Sequence, residues 1–250
     1  MDLSGKLNGL SLFSGIGGID LALDEWVKPI AYCEINSYCQ GVLLSRMADK
    51  SLSDGPIWDD IKTFAGNIFK GTIDIIYGGF PCQDISVAGN GKGLAGERSG
   101  LFFEIVRLVK EIQPKFIFIE NSSAINTRGG NRVIESLTSI GYSCRWITKT
   151  AEEEGSPQIR KRWFCLAYSN GKSGIETYKG TKSEQKEGKT RIRSSRQDRG
   201  MFPESYWKKN QSPILGMDDG IPYRVDRAFA LGNSVCIIQC KEAFKELIGL

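Results

Sequence analysis

Histidine is absent from all 250 residues. That excludes Ser-His-Asp triads, Cys-His proteases and the zinc deaminases that need a histidine ligand. The seven cysteines, at 33, 39, 82, 144, 165, 236 and 240, include no C-x-x-C pair, which argues against a zinc site, any other bound metal or a disulfide framework. No run of about 18 apolar residues occurs, and the start MDLSGKLNGL lacks the basic-then-apolar order of a signal peptide. The expectation is a soluble cytoplasmic protein without a membrane partner. Any nucleophile in it must act without imidazole.

What is present is apolar content enough for one sizeable core, 40% of residues. Up to Tyr168, apolar strand-like runs alternate with helix-like stretches. This is the pattern of an α/β fold, a mostly parallel sheet with helices on both faces. The expected strands are 9–13, 30–34, 73–77, 115–119, 142–149 and 162–168. The expected helices are 18–26, 37–48, 101–112 and 131–140, with Leu101, Ile105, Leu108 and Ile112 on one stripe. Beyond Tyr168 the texture becomes Ser, Gly, Lys and Arg, and from Ser169 to Arg199 nine basic residues face four acidic ones. Such a stretch cannot build a core alone. The expected organisation is a catalytic and cofactor-binding domain at 1–168, a small basic insertion at 169–221, and a segment at 222–250 that returns to the first domain and ends in a helix.

Leu10 to Asp20, LSLFSGIGGID, reads as a strand, a glycine turn and a helix start, where an open parallel sheet offers backbone N–H groups to a ligand. The turn lacks the G-K-[ST] of a nucleotide triphosphate loop, and Asp20 stands where a dinucleotide fingerprint has its third glycine. Glu34, at the end of the second apolar run, can accept from both hydroxyls of a ribose. A nucleoside with few or no phosphates fits better than a dinucleotide. Asp60, followed by Ile61, could reach an adenine amino group or simply cap a helix.

Cys82, in IYGGFPCQDIS, follows a buried-strand pattern in turn chemistry, whereas most other cysteines lie in apolar strings. Glu120 and Asn121 end the apolar run FIFI, and a carboxylate there is costly unless paired or used. In Gln158-Ile159-Arg160-Lys161-Arg162, alternation sends Gln158, Arg160 and Arg162 to one side.

These pieces in this order resemble the cytosine carbon-5 methyltransferases that act on DNA. The matching motifs are FSGIGG (13–18), Glu34, GGFPCQDIS (78–86), ENS (120–122), QIRKR (158–162) and ALGNSV (230–235). The resemblance implies a Rossmann-like methyltransferase fold with S-adenosyl-L-methionine as cofactor, received by Phe13, Gly15, Gly17, Gly18, Glu34, Asp60, Ile61, Pro81, Asn233 and Ser234. It implies catalysis by Cys82, Glu120, Arg160 and Arg162. The cysteine adds to carbon 6 of a flipped cytosine, Glu120 donates toward N3 and Arg162 holds O2, which neutralises charge on the ring in place of base activation of the thiol. Pro81, Gln83, Ser86, Asn121 and Gln158 would line the cytosine pocket. Gln83 to Gly100, with glycines at 89, 91, 93, 96 and 100, looks like the family's closing loop.

Two positions depart from the pattern: Ser122 where the family usually has valine, and Ile35 where it often stacks an aromatic ring on adenine. The insertion occupies the place of the target-recognition region. Its arginines at 191, 193, 196 and 199 suit phosphate contacts, and one of them could read guanine. The implied partners are double-stranded DNA and a cognate restriction endonuclease, with a monomer as the working form and a restriction-modification or phage protective system as the setting. Folded RNA is the nearest alternative substrate. A redox oxidoreductase and a silent DNA-binding relative are weaker alternatives.

Overall fold

Alternation along the strands sorts the side chains into two cores. In β4 (Ile75–Gly79) and β5 (Phe116–Ser122), Ile76, Ile117 and Ile119 enter one core, while Ile75, Tyr77, Phe116 and Phe118 enter the other. Both faces of the sheet are therefore covered, as the near-continuous apolar strands require. The computed structural model describes residues 5–81, 99–156, 159–169 and 224–250.

The remaining strands are β1 (Leu7–Leu12), β2 (Val27–Cys33), β3 (Ile57–Trp58), β6 (Tyr142–Thr150) and β7 (Lys161–Ser169). They form one seven-stranded sheet in the order β3-β2-β1-β4-β5-β7-β6. Strands β1 to β5 pair in parallel. β7 runs antiparallel to both β5 and β6. The second strand begins three residues earlier than the apolar run predicts. Pro29, which lacks an N–H, is accommodated by a register shift opposite Gly9 and Leu10.

Helix α1 (Gly18–Leu23) follows the glycine turn, and α2 (Ser37–Ala48) covers Tyr32 through Leu43 and Met47. In α3 (Phe102–Ile112) the predicted stripe is buried at Ile105, Leu108 and Ile112, with Phe102, Val106 and Val109 beside it. The helix expected at 131–140 is a short α4 (Ile125–Arg128) followed by α5 (Gly130–Thr138). After α6 (Arg224–Asn233), α7 (Ile237–Ile248) places Cys240, Ala243, Phe244 and Leu247 in the core shared with α1. Phe244 meets Phe118 edge-on at 5.2 Å, and Phe118 stacks on Phe164 at 5.9 Å. The carboxy-terminal helix is thus part of the same core as the first strand.

Candidate active site

Winding reverses between β1 and β4, so the ends of these strands leave a crevice, the place where open α/β sheets take ligands. One wall is the glycine turn. Phe13, Gly15 and Gly17 all have positive φ, at 51°, 54° and 81°. For Phe13 this left-handed conformation is a local strain of the kind found at ligand sites. The Glu34 carboxylate is buried and accepts the Gly15 N–H at 2.7 Å through Oε2 and the Asn36 N–H at 2.8 Å through Oε1. Each oxygen keeps a second lone-pair direction for a hydroxyl. Ser234 lies against the first turn of α1: a Cβ built on Gly18 would stand 3.0 Å from its Oγ. Asn233, at the end of α6, is exposed. Asp60 accepts the Lys62 N–H at 2.9 Å and so caps the short turn Ile61–Thr63, while Ile61 is buried. Ile35 lies 75% exposed after Glu34.

The other wall is built from β4, β5 and β7. Gly78 pairs with Leu12, and a Cβ there would run into the Leu12 carbonyl. Gly79 sits beside Glu120, whose Oε2 would be 2.7 Å from a Cβ at that position. Glu120 is 8% exposed and is held by the Arg162 guanidinium, Nε to Oε1 at 2.8 Å. The contact exists because β7 is reversed: Ser122 pairs with Arg162, so the start of β7 lies at the end of β5. Two residues before it, Arg160 donates to the carbonyls of Gly232 at 3.2 Å and Ser234 at 2.7 Å. That ties the start of the arginine strand to the end of α6 and the residue that follows it. Asn121 is 1% exposed and donates its amide to the Phe80 carbonyl at 3.1 Å, fixing the approach to Pro81. Cys82, Gln83, Ser86 and Gln158 lie outside the described residues.

Burial pushes the Glu120 carboxyl above its ordinary range, against the opposing pull of Arg162 and Arg160. A raised carboxyl keeps its proton nearer to neutral pH, as a general acid needs. Burial raises four other thiols: Cys33 is pushed up to about 12, Cys39 to about 11, and Cys165 and Cys240 well above the ordinary thiol range. None of these four is poised as a nucleophile. Among the described residues no His/Cys/Asp/Glu group could hold a metal ion, and no helix is long and apolar enough to cross a membrane. The motif GGFPCQDIS contains Gly79 but assigns it no role; its missing side chain makes room for Glu120. No motif contains Gln239, a buried amide in α7. Gln239 donates to the Lys149 and Arg160 carbonyls at 2.8 Å each. Neither carries chemistry of its own, and only the register places them at the site.

Residues 7–216 match the family model for C-5 cytosine-specific DNA methylase. The chain belongs to that family. Enzymes of the family take their methyl group from S-adenosylmethionine. Among relatives, the chain is similar to the type II methyltransferase M.CviJI of Paramecium bursaria Chlorella virus IL3A, 38% identical over 159 residues, covering 63% of this chain and 42% of that protein. It is also similar to the type II methyltransferase M.HhaI of Haemophilus parahaemolyticus, 31% identical over 169 residues, covering 66% and 50%. The chain thus spans about half the length of the curated relatives it matches. The S. pombe Dnmt2 methyltransferase shares the fold, with a TM-score of 0.54 and 23% identity over 71% of this chain and 53% of that one. The architecture is therefore the Rossmann-like methyltransferase fold.

Proposed function

We propose that this protein is a DNA (cytosine-5)-methyltransferase, moving a methyl group from S-adenosylmethionine to carbon 5 of a cytosine flipped out of a specific duplex site. The observation that carries the reading is the buried Glu120, bridged to Arg162 at 2.8 Å and lying beside the strand that leads to Cys82. In this reading a bond forms between the Cys82 sulfur and carbon 6, and the displaced electron pair moves toward N3. Glu120 donates its proton there while Arg162 offers N–H groups to O2. Carbon 5 can then act as a nucleophile. After methyl transfer, carbon 5 gives its proton to water, the electron pair left behind forms the carbon 5–carbon 6 double bond as the carbon–sulfur bond breaks, Cys82 leaves as a thiolate, and N3 returns its proton to Glu120. Arg160 acts at one remove, by holding the carbonyls of Gly232 and Ser234.

The residues present suit the cofactor. When bound, it supplies a methyl group on a sulfonium centre. Glu34 has lone pairs to spare for two ribose hydroxyls, and Phe13, Gly15 and Gly17, with Gly18 at the start of α1, form the turn around it. Asp60 and Ile61 would receive the adenine, and Asn233, Ser234 and the Pro81 region the methionine end. Gln83, Ser86, Asn121 and Gln158 complete the proposed pocket, Asn121 through its hold on Phe80. Residues 169–221, with their excess of basic side chains, would contact the duplex. A restriction-modification or phage protective system, a cognate endonuclease and a monomeric form belong to the same proposal.

The test is base-resolution bisulfite sequencing of a host genome that lacks cytosine methylation, after expression of the protein and of Cys82→Ala. Methylation at one short motif, lost in the variant, is expected. Soluble protein that leaves DNA unmethylated, or a variant as active as the parent, would overturn the proposal; methyl transfer to folded RNA instead would reassign the substrate.

A further inference from the structure

The turn that presents Asp60 and Ile61 is held locally by the Asp60 cap and by the Trp58 indole bond to Thr63, and across the sequence by α3. It is a pair of short 3-10 segments, Ile61–Thr63 and Gly66–Phe69, whose i to i+3 bonds are poor and rarely extend. α3 adds a second hold on it. Arg107 Nη2 donates to the Ile61 carbonyl at 2.7 Å and Nη1 to the Phe64 carbonyl at 3.1 Å, across 46 and 43 residues of sequence. The same guanidinium is aimed by two acids of its own helix, Nε to Glu104 at 2.7 Å and Nη1 to Glu111 at 2.8 Å. The second oxygen of Glu111 accepts the Gly66 N–H at 2.9 Å, and a Cβ on Gly66 would stand 2.7 Å from that oxygen. Three backbone points of the turn, at residues 61, 64 and 66, are thus pinned to one helix.

Two acids neutralise Arg107, and four of its N–H···O contacts point at protein oxygens. It is therefore not arranged to bind a phosphate. A lysine could not replace it, because a point ammonium cannot serve a planar set of acceptors spread over two elements.

We propose that Arg107 is a positioning residue for the cofactor: from α3 it sets the turn that receives the adenosine end. This rests on the reading of Asp60 and Ile61 as cofactor residues. Trp58 gives an optical handle on the turn. Its indole N–H donates to Thr63 at 2.9 Å, and its ring meets Phe64 edge-on at 6.0 Å.

The experiment is calorimetric titration of the purified full chain, and of Arg107→Lys and Glu111→Gln, with S-adenosylhomocysteine and with 5′-methylthioadenosine, which carries only the adenosine end. Arg107→Lys should weaken both ligands by the same factor, about tenfold or more, as expected when a charge-assisted fork is lost. It should raise KM for S-adenosylmethionine by a similar factor and leave kcat within about threefold, since binding and not the chemical step is affected. A merely structural arginine would lower stability without this split. Glutamine at 111 has one acceptor oxygen and can serve Arg107 or Gly66 but not both, so about threefold weakening is expected from Glu111→Gln. If the lysine variant does not fold, Glu111→Gln decides the matter. Wild-type affinity in the folded variants, or a loss confined to S-adenosylhomocysteine, overturns the role of Arg107 alone. A parent chain that binds neither nucleoside removes the cofactor reading of the turn, and the proposal falls with it.

Discussion

Glu120 sits between opposing forces. Burial favours its neutral form, while Arg162 at 2.8 Å and Arg160 further off favour the anion, and burial prevails. An acid whose hold on its proton is strengthened by burial, beside a cationic guanidinium, can give that proton up when negative charge develops next to it, which is what addition to a pyrimidine requires. Replacing Glu120 by Gln keeps the shape and a hydrogen-bond donor but removes the transferable proton. Single-turnover methyl transfer should slow by about a hundredfold or more, with S-adenosylhomocysteine binding unchanged. Glu120 stands out in sequence because an acid closing an apolar strand needs a reason. Gly79 lies in the motif around Cys82, but its role does not stand out, because its contribution is an empty volume that the neighbouring carboxylate fills.

Among elements, the reversed hairpin of β6 and β7 is what assembles the site. Parallel pairing throughout would carry Arg162 to the far end of the sheet from Glu120. Antiparallel pairing sets it opposite Ser122. The hairpin is latched from behind by Gln239 of α7, whose amide bridges the Lys149 and Arg160 carbonyls and is 0% exposed. The Arg160 carbonyl also accepts the Ala151 N–H at 2.9 Å, so it would not be left wholly unpaired. Gln239→Leu should therefore cost about 1–3 kcal/mol in urea unfolding, and methyl transfer should fall further than stability alone explains, because the backbone bearing both arginines is loosened. Periodicity shows that β7 is a buried strand. It carries no signal of the direction in which that strand runs.

For the molecule as a whole, stability depends on pH through Asp20. This residue is 2% exposed in α1, accepts the Tyr77 hydroxyl at 2.8 Å through Oδ1, and among the described residues has no hydrogen-bond partner at Oδ2. The Tyr77 ring lies close over β1, where a Cβ on Gly9 would come within 2.7 Å of it. Burial raises the Asp20 carboxyl from 3.8 to about 6, with the hydrogen bonds from Tyr77 and Ser11 opposing. The folded chain then holds a proton that the unfolded chain releases between those two values. Stability consequently falls as pH rises through that window and stays reduced above it. The full effect is on the order of 3 kcal/mol. Asp20→Asn cannot ionise, so its stability relative to the parent should improve by on the order of 1–2 kcal/mol between pH 4.5 and pH 7.5 in urea titrations. A constant difference across that range would mean that Asp20 is charged at both ends of it.

Local pattern carries a good deal of this protein. Alternating apolar residues mark the strands, the stripe of Ile105, Leu108 and Ile112 marks α3, and the ordered glycine, proline-cysteine, Glu-Asn and Gln-x-Arg-x-Arg motifs mark the family. Those signals are legible because each depends on neighbours a few residues away. The pairing of Glu120 with Arg162, the hold of Arg160 on Gly232 and Ser234, the grip of Arg107 on residues 61–66 and the burial of Asp20 join positions 40 or more residues apart. Such contacts follow from strand order, strand direction and the docking of α7. These are settled by how the two apolar faces pack together, and no short-range pattern encodes that.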